Sequence, residues 1–219
     1  MKLEGLKINF LGDSITFGAG TSSPDAIFHA VLKKEVNLAE ARNYGISGTR
    51  FALQTGTPGR PKDNGVDVNS FCERFEKMDK DADVVVVFGG TNDFGHGDAA
   101  IGNMSDRTPD TFYGACHYLF SSLIKNYIGK PVIIMTPLHR RVEYLEHETR
   151  GPRTLKQYVD VIREVAEYYS LPVLDLYAQS GLQPKVKEIQ ERYVPDGLHP
   201  NDNGHQVLAH KLKVFLEQM

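Results

Sequence analysis

The sequence has no tryptophan and only two cysteines among its 219 residues. Cys72 and Cys116 lie in segments of helical pattern and lack the short spacing of a metal site, so a disulfide framework is excluded and both read as reduced thiols. No run approaches the roughly eighteen apolar residues of a membrane span. Met1-Lys2-Leu3-Glu4-Gly5 leads directly into an apolar stretch, without the regions of a secretory leader, so a cytoplasmic location is expected. A formal net charge of -3 gives no overall attraction to nucleic acid or to an anionic membrane, and neither is expected as a partner. Gly12 to Gly20 fits neither G-x-G-x-x-G nor a Lys-containing phosphate loop, which speaks against nucleotide binding. Internal repeats and low-complexity segments are absent as well.

What the chain does have is enough apolar content, 41% of residues, to build the core of one α/β domain spanning 1–219. Apolar runs predict strands at Leu6–Leu11, Ala41–Ile46, Val84–Phe88, Pro131–Met135 and Val173–Leu176. Helical periodicity lies between them: Ile27 to Leu38; Phe71, Phe75 and Met78; a helix starting near Thr108-Pro109 and running past Ile124; Leu155 to Ala166; and Val207 to Leu216. The uninterrupted Val84-Val85-Val86-Val87-Phe88 suits a strand covered on both faces. Irregular connections are expected at Gln54–Asn69, Phe94–Arg107, Leu138–Arg153 and Tyr177–Pro195. Strands alternating with helices imply right-handed crossovers, a mainly parallel sheet and helices on both faces.

In such a sheet the carboxyl ends of the strands share one edge, where ligands bind. Ser14 follows the first strand, in Gly12-Asp13-Ser14-Ile15-Thr16. Gly48 follows the second, in Gly45-Ile46-Ser47-Gly48, and Asn92 the third, in Gly89-Gly90-Thr91-Asn92-Asp93. Asp196-Gly197-Leu198-His199-Pro200 precedes the last helix and sets a carboxylate three residues from an imidazole. A serine becomes a good nucleophile when a base takes its proton and fixed donors receive the developing charge, and these four stretches contain such groups. Singly, each has a structural explanation: Ser14 as a helix cap, Gly48 as a turn glycine, Asn92 as a loop cap, His199 as a surface histidine. Their order along one chain favours the joint reading.

The four blocks together resemble the SGNH superfamily of GDSL-type lipases and acylhydrolases, over nearly the whole chain. The resemblance implies a flavodoxin-like three-layer α/β/α sandwich with a five-stranded, mainly parallel sheet, acting on a small-molecule ester. It implies Ser14 as nucleophile and His199 as base, with Asp196 holding the imidazole. Ser14 and Gly48 would donate backbone N–H groups to the oxyanion, Asn92 its side-chain amide, and no metal or cofactor would be required. Asp13 and Asp93 would fix the turns that present Ser14 and Asn92. The first expectation for substrate is a small carboxylic ester, with O-acetylated carbohydrate as one candidate. An acyl-thioester, or a binding domain without turnover, stands as the alternative.

Around the blocks, Phe17, Tyr44, Phe94 and Tyr113 read either as pocket wall or as packed core. Arg140, Arg141, Arg150 and Arg153 are interleaved with Glu143, Glu146 and Glu148, as in a solvated salt-bridged loop, although an anionic substrate would also suit them. His205 and His210 read as solvent-facing or capping residues of the last helix, and His96, near Asn92, either as a loop residue or as pocket lining. Oligomeric state is not legible.

Overall fold

A computed structural model describes residues 1–53, 70–146 and 151–219. The connection expected at Gln54–Asn69 lies outside the described residues, as do Glu148 and Arg150. Among the described residues the strands are β1 (Lys7–Gly12), β2 (Glu40–Gly45), β3 (Val84–Phe88), β4 (Val132–Met135), a short antiparallel pair of β5 (Tyr144–Leu145) and β6 (Arg153–Thr154), and β7 (Val173–Leu174). Helices α1 (Ser14–Phe17), α2 (Phe28–Val36), α3 (Phe71–Arg74), α4 (Thr91–His96), α5 (Phe112–Asn126), α6 (Leu155–Tyr168), α7 (Leu176–Gln179), α8 (Lys187–Tyr193) and α9 (Asp202–Glu217) connect and follow them.

The main sheet has the order β2-β1-β3-β4-β7, and every neighbouring pair is parallel. That is the flavodoxin-like order, here in a three-layer α/β/α arrangement. The period-two alternation of strand side chains divides the core. Val85 and Val87 of β3, with Val132 and Ile134 of β4, pack toward α3, α5 and α6. Val84, Val86 and Phe88, with Ile133 and Met135, pack toward α2 and α9. Each fully buried Val or Phe side chain stabilises the fold by about 1.5–3 kcal/mol, which fixes β3 in the middle of the sheet. β2 lies at the edge, where Arg42 pairs with Glu40 and Asp81 and blunts it with charge.

Capping chemistry moves several predicted boundaries. The helix expected from Thr108-Pro109 starts at Phe112, because the Thr111 hydroxyl accepts from Gly114 N. The fifth strand stops at Leu174, since Asp175 caps α7 through Ala178 N. The segment Tyr177–Pro195 holds the end of α7 and all of α8, and Leu138–Arg153 holds β5 and the start of β6. α4 carries helix through His96, into the stretch expected to be irregular.

His205 corrects the sequence reading outright. It is fully buried, not solvent-facing: its Nδ1 accepts from Phe28 N at 3.1 Å, and its ring stacks on Phe28. This bond joins α9 to the first residue of α2. His210, by contrast, is exposed.

Candidate active site

β1 ends at Gly12 because the chain must turn back on itself there. A Cβ on residue 12 would collide with the Thr16 side chain and lie 2.9 Å from the Phe88 carbonyl. The next residue, Asp13, is the helix cap, and its Oδ1 accepts from Ile15 N at 3.0 Å. The capping explanation thus belongs to Asp13, which leaves the Ser14 hydroxyl free for another partner.

That partner comes from the loop before α9. Ser14 Oγ lies 3.0 Å from His199 Nε2, and His199 Nδ1 lies 2.7 Å from Asp196 Oδ2. The other Asp196 oxygen accepts from the backbone N–H groups of Leu198, at 2.8 Å, and His199, at 2.7 Å. Partial burial alone would raise the Asp196 pKa, but the hydrogen bonds from His199 and Leu198 outweigh it and hold the carboxyl below its ordinary value. An ionised Asp196 accepts a hydrogen bond from Nδ1–H and keeps the proton on that nitrogen, so Nε2 is left to accept from the Ser14 hydroxyl.

Gly48 and Asn92 are linked through Thr49, beside the β1 end. Gly48 has φ +75°, which favours glycine. Its turn is held by Ile46 N to Gly12 O at 3.1 Å and by the Thr49 hydroxyl to Ile46 O at 2.7 Å. Asn92 Nδ2 donates to Thr49 O at 3.0 Å. Asp93 accepts from Phe51 N and Ala52 N, at 3.0 and 3.1 Å, so α4 grips the segment after Gly48 at two neighbouring points. Burial raises the Asp93 carboxyl to about 6 against the pull of these donors, and burial raises Asp13 to about 6 against Ile15 N, His199 and Arg74.

Arg74 was missed in the sequence, and it lies beneath all of this. Its guanidinium donates to Tyr44 O at the end of β2, to Gly12 O at 2.5 Å, and to the Thr49 hydroxyl at 3.1 Å. Burial lowers its pKa to about 10, with Asp13 opposing. The only sequence signal was its place three residues after Phe71 on an apolar helix face.

Other candidates separate. Phe94 is core, Tyr44 and Tyr113 bond Asp79 and Glu164 through their hydroxyls, and Phe17 is 57% exposed. Arg140 donates to Thr91 and stacks over Phe94, while Arg153 donates to Gly97 O. Glu143 pairs with His139 and Lys185, not with an arginine side chain. Cys72 and Cys116 are buried free thiols. Among the described residues no three His, Cys, Asp or Glu side chains are grouped to hold a metal ion, and no helix is long and apolar enough to cross a membrane.

A model of the GDSL-like lipase/acylhydrolase family matches residues 10–207. The chain belongs to that family. This GDSL-like hydrolase therefore acts on ester bonds. One solved structure is 33% identical to it, covers all of this chain and 99% of its own, and superposes with a TM-score of 0.83. A protein from Lactobacillus plantarum is 28% identical, with 98% of each chain covered and a TM-score of 0.82. A two-domain esterase active on acetylated mannans shares the fold at 20% identity and a TM-score of 0.63, over 99% of this chain and 50% of that one. Comparison with curated proteins returns no match.

Proposed function

We propose that residues 1–219 act as one hydrolase domain that cleaves small carboxylic esters through a covalent acyl-Ser14 intermediate. The observation that carries this reading is the unbroken path from Ser14 Oγ to His199 Nε2 to Asp196, at 3.0 and 2.7 Å. In the first half-reaction Ser14 Oγ attacks the carbonyl carbon while His199 Nε2 takes the hydroxyl proton. Asp196 holds the Nδ1–H tautomer and stabilises the imidazolium. The carbonyl oxygen becomes an oxyanion, received by the backbone N–H groups of Ser14 and Gly48 and by the second hydrogen of Asn92 Nδ2. His199 then protonates the departing alcohol. A water molecule repeats the sequence on the acyl-serine, releasing the acid and returning the proton to Ser14.

O-acetylated carbohydrate is the substrate class favoured within this reading, supported by the fold shared with the acetylated-mannan esterase. Replacement of Ser14 by Ala tests the mechanism against p-nitrophenyl acetate. The variant is expected to retain at most ~10³–10⁴-fold acceleration over water, and wild-type turnover in it would remove Ser14 from the nucleophile's role. A parallel panel of acetylated sugars, longer nitrophenyl esters and an acyl-thioester fixes acyl length and leaving group.

A further inference from the structure

His96 lies beside Asn92, and the mechanism above does not use it. It occupies the last turn of α4, one turn after Asn92, so both side chains lie on the same helix face. His96 Nε2 lies 3.1 Å from Asn92 Oδ1. On its far side, Arg50 Nη2 and Nε approach His96 Nδ1 at 2.8 and 3.2 Å. Arg50 is 2% exposed, and its charge is felt by the buried Asp93.

The donor and acceptor roles along this row follow from chemistry. A guanidinium has only donors, so His96 Nδ1 must be the acceptor and must carry no proton. The imidazole proton then resides on Nε2, which donates to Asn92. Asn92 Oδ1 is the only atom of that amide able to accept it, and Thr49 O already takes a hydrogen from Nδ2. The amide orientation is therefore set twice, once at each end. Donation into Oδ1 also draws electron density from the amide and makes its N–H groups better donors, as in other hydrogen-bonded chains.

We infer that His96, fixed in its Nε2–H tautomer by Arg50, is a positioning residue that orients and polarises the Asn92 amide for the oxyanion. This inference rests on the proposed role of Asn92. Asn92 feels the imidazole only through its own carbonyl oxygen, so His96 acts on the rate of the chemical step and not on the binding of the ground-state ester.

The test is a double-mutant cycle on the full chain, with p-nitrophenyl acetate as substrate and urea unfolding to confirm that each variant is folded. Asn92→Ala is expected to lose roughly 10²–10³ in kcat. His96→Ala is expected to lose about tenfold in kcat, the worth of one well-placed hydrogen bond, with KM within about twofold. In the Asn92→Ala background the same His96 change should add no further loss. His96→Gln can accept from Arg50 and donate to Asn92, and it should recover most of the kcat. Nitrogen-15 NMR of the wild-type imidazole should show Nε2 protonated and Nδ1 bare. A His96→Ala loss under about threefold, a loss that multiplies with that of Asn92→Ala, or the opposite tautomer overturns the relay while leaving Asn92 its role. A loss under about threefold in Asn92→Ala itself removes the oxyanion reading, and the relay with it.

Discussion

Replacing His205 by Asn should make the fold less sensitive to acid. His205 and His29 are both buried neutral, each with its pKa lowered by burial from 6.5 to about 4. The unfolded chain binds these protons more readily. Each imidazole therefore contributes stability that is full above pH 6.5 and is lost as the pH falls from 6.5 toward 4. At 1.36 kcal/mol per pH unit a gap of this size is worth roughly 3 kcal/mol per histidine. Asp13 and Asp93, raised by burial from 3.8 to about 6, act with the opposite sign. Their contribution is full below pH 3.8 and is lost as the pH rises through 6. The two pairs oppose each other, so the pH dependence of the wild type alone does not isolate either.

The substitution separates them. An Asn at 205 can still accept from Phe28 N but cannot titrate, whereas the groups that act on His205, namely His29, Asp202, His199 and the Ala19 backbone, remain in place. At pH 7 the variant should be less stable, because it loses the ring stacked on Phe28. Between pH 7 and pH 4.5 the wild type gives up roughly 2 kcal/mol through this one residue, by linkage with its lowered pKa. The deficit of the variant should shrink by that amount. Urea unfolding of both proteins at the two pH values reads the difference. A deficit that is the same at both, within about 0.5 kcal/mol, would refute a buried neutral His205.

Two further outcomes are expected. Arg74→Met removes the guanidinium from the Tyr44 and Gly12 carbonyls, of which Gly12 O keeps its bond from Ile46 N, and should cost about 1–3 kcal/mol of stability, seen as a fall in Tm of about 2–12 °C; an unchanged Tm would show that the clamp is not needed. Asp196→Asn should preserve the fold yet lower kcat by roughly 10³–10⁴ through the wrong imidazole tautomer, and a loss under tenfold on p-nitrophenyl acetate would remove Asp196 from the mechanism.

The strands were legible because their burial is one-dimensional. Val84–Phe88 and Val132–Met135 are each apolar without interruption and buried throughout, and such runs need no tertiary knowledge to be seen. The convergence of Ser14 and His199 was legible from connectivity, since parallel strands leave their carboxyl ends on one rim. Boundaries were harder, because they depend on a single hydrogen bond from Thr111 or Asp175 that periodicity does not register. Arg74 and His205 were illegible for a deeper reason. A charged or titratable residue is buried only when the tertiary structure brings it partners, here the Tyr44 and Gly12 carbonyls for Arg74 and the Phe28 amide for His205. Those partners are distant in sequence, and no local pattern announces them.

The Asp196 carboxylate makes its three bonds inside a stretch of four residues: one to the imidazole and two to amides of the same turn. The imidazole is thus aligned by its own loop before it meets Ser14 at the end of β1. Damage that moves this loop away from β1 lengthens the Ser14–His199 contact and leaves the imidazole and its carboxylate in register. A variant slackened there should accordingly keep an imidazole that is correctly prepared but too far from its serine.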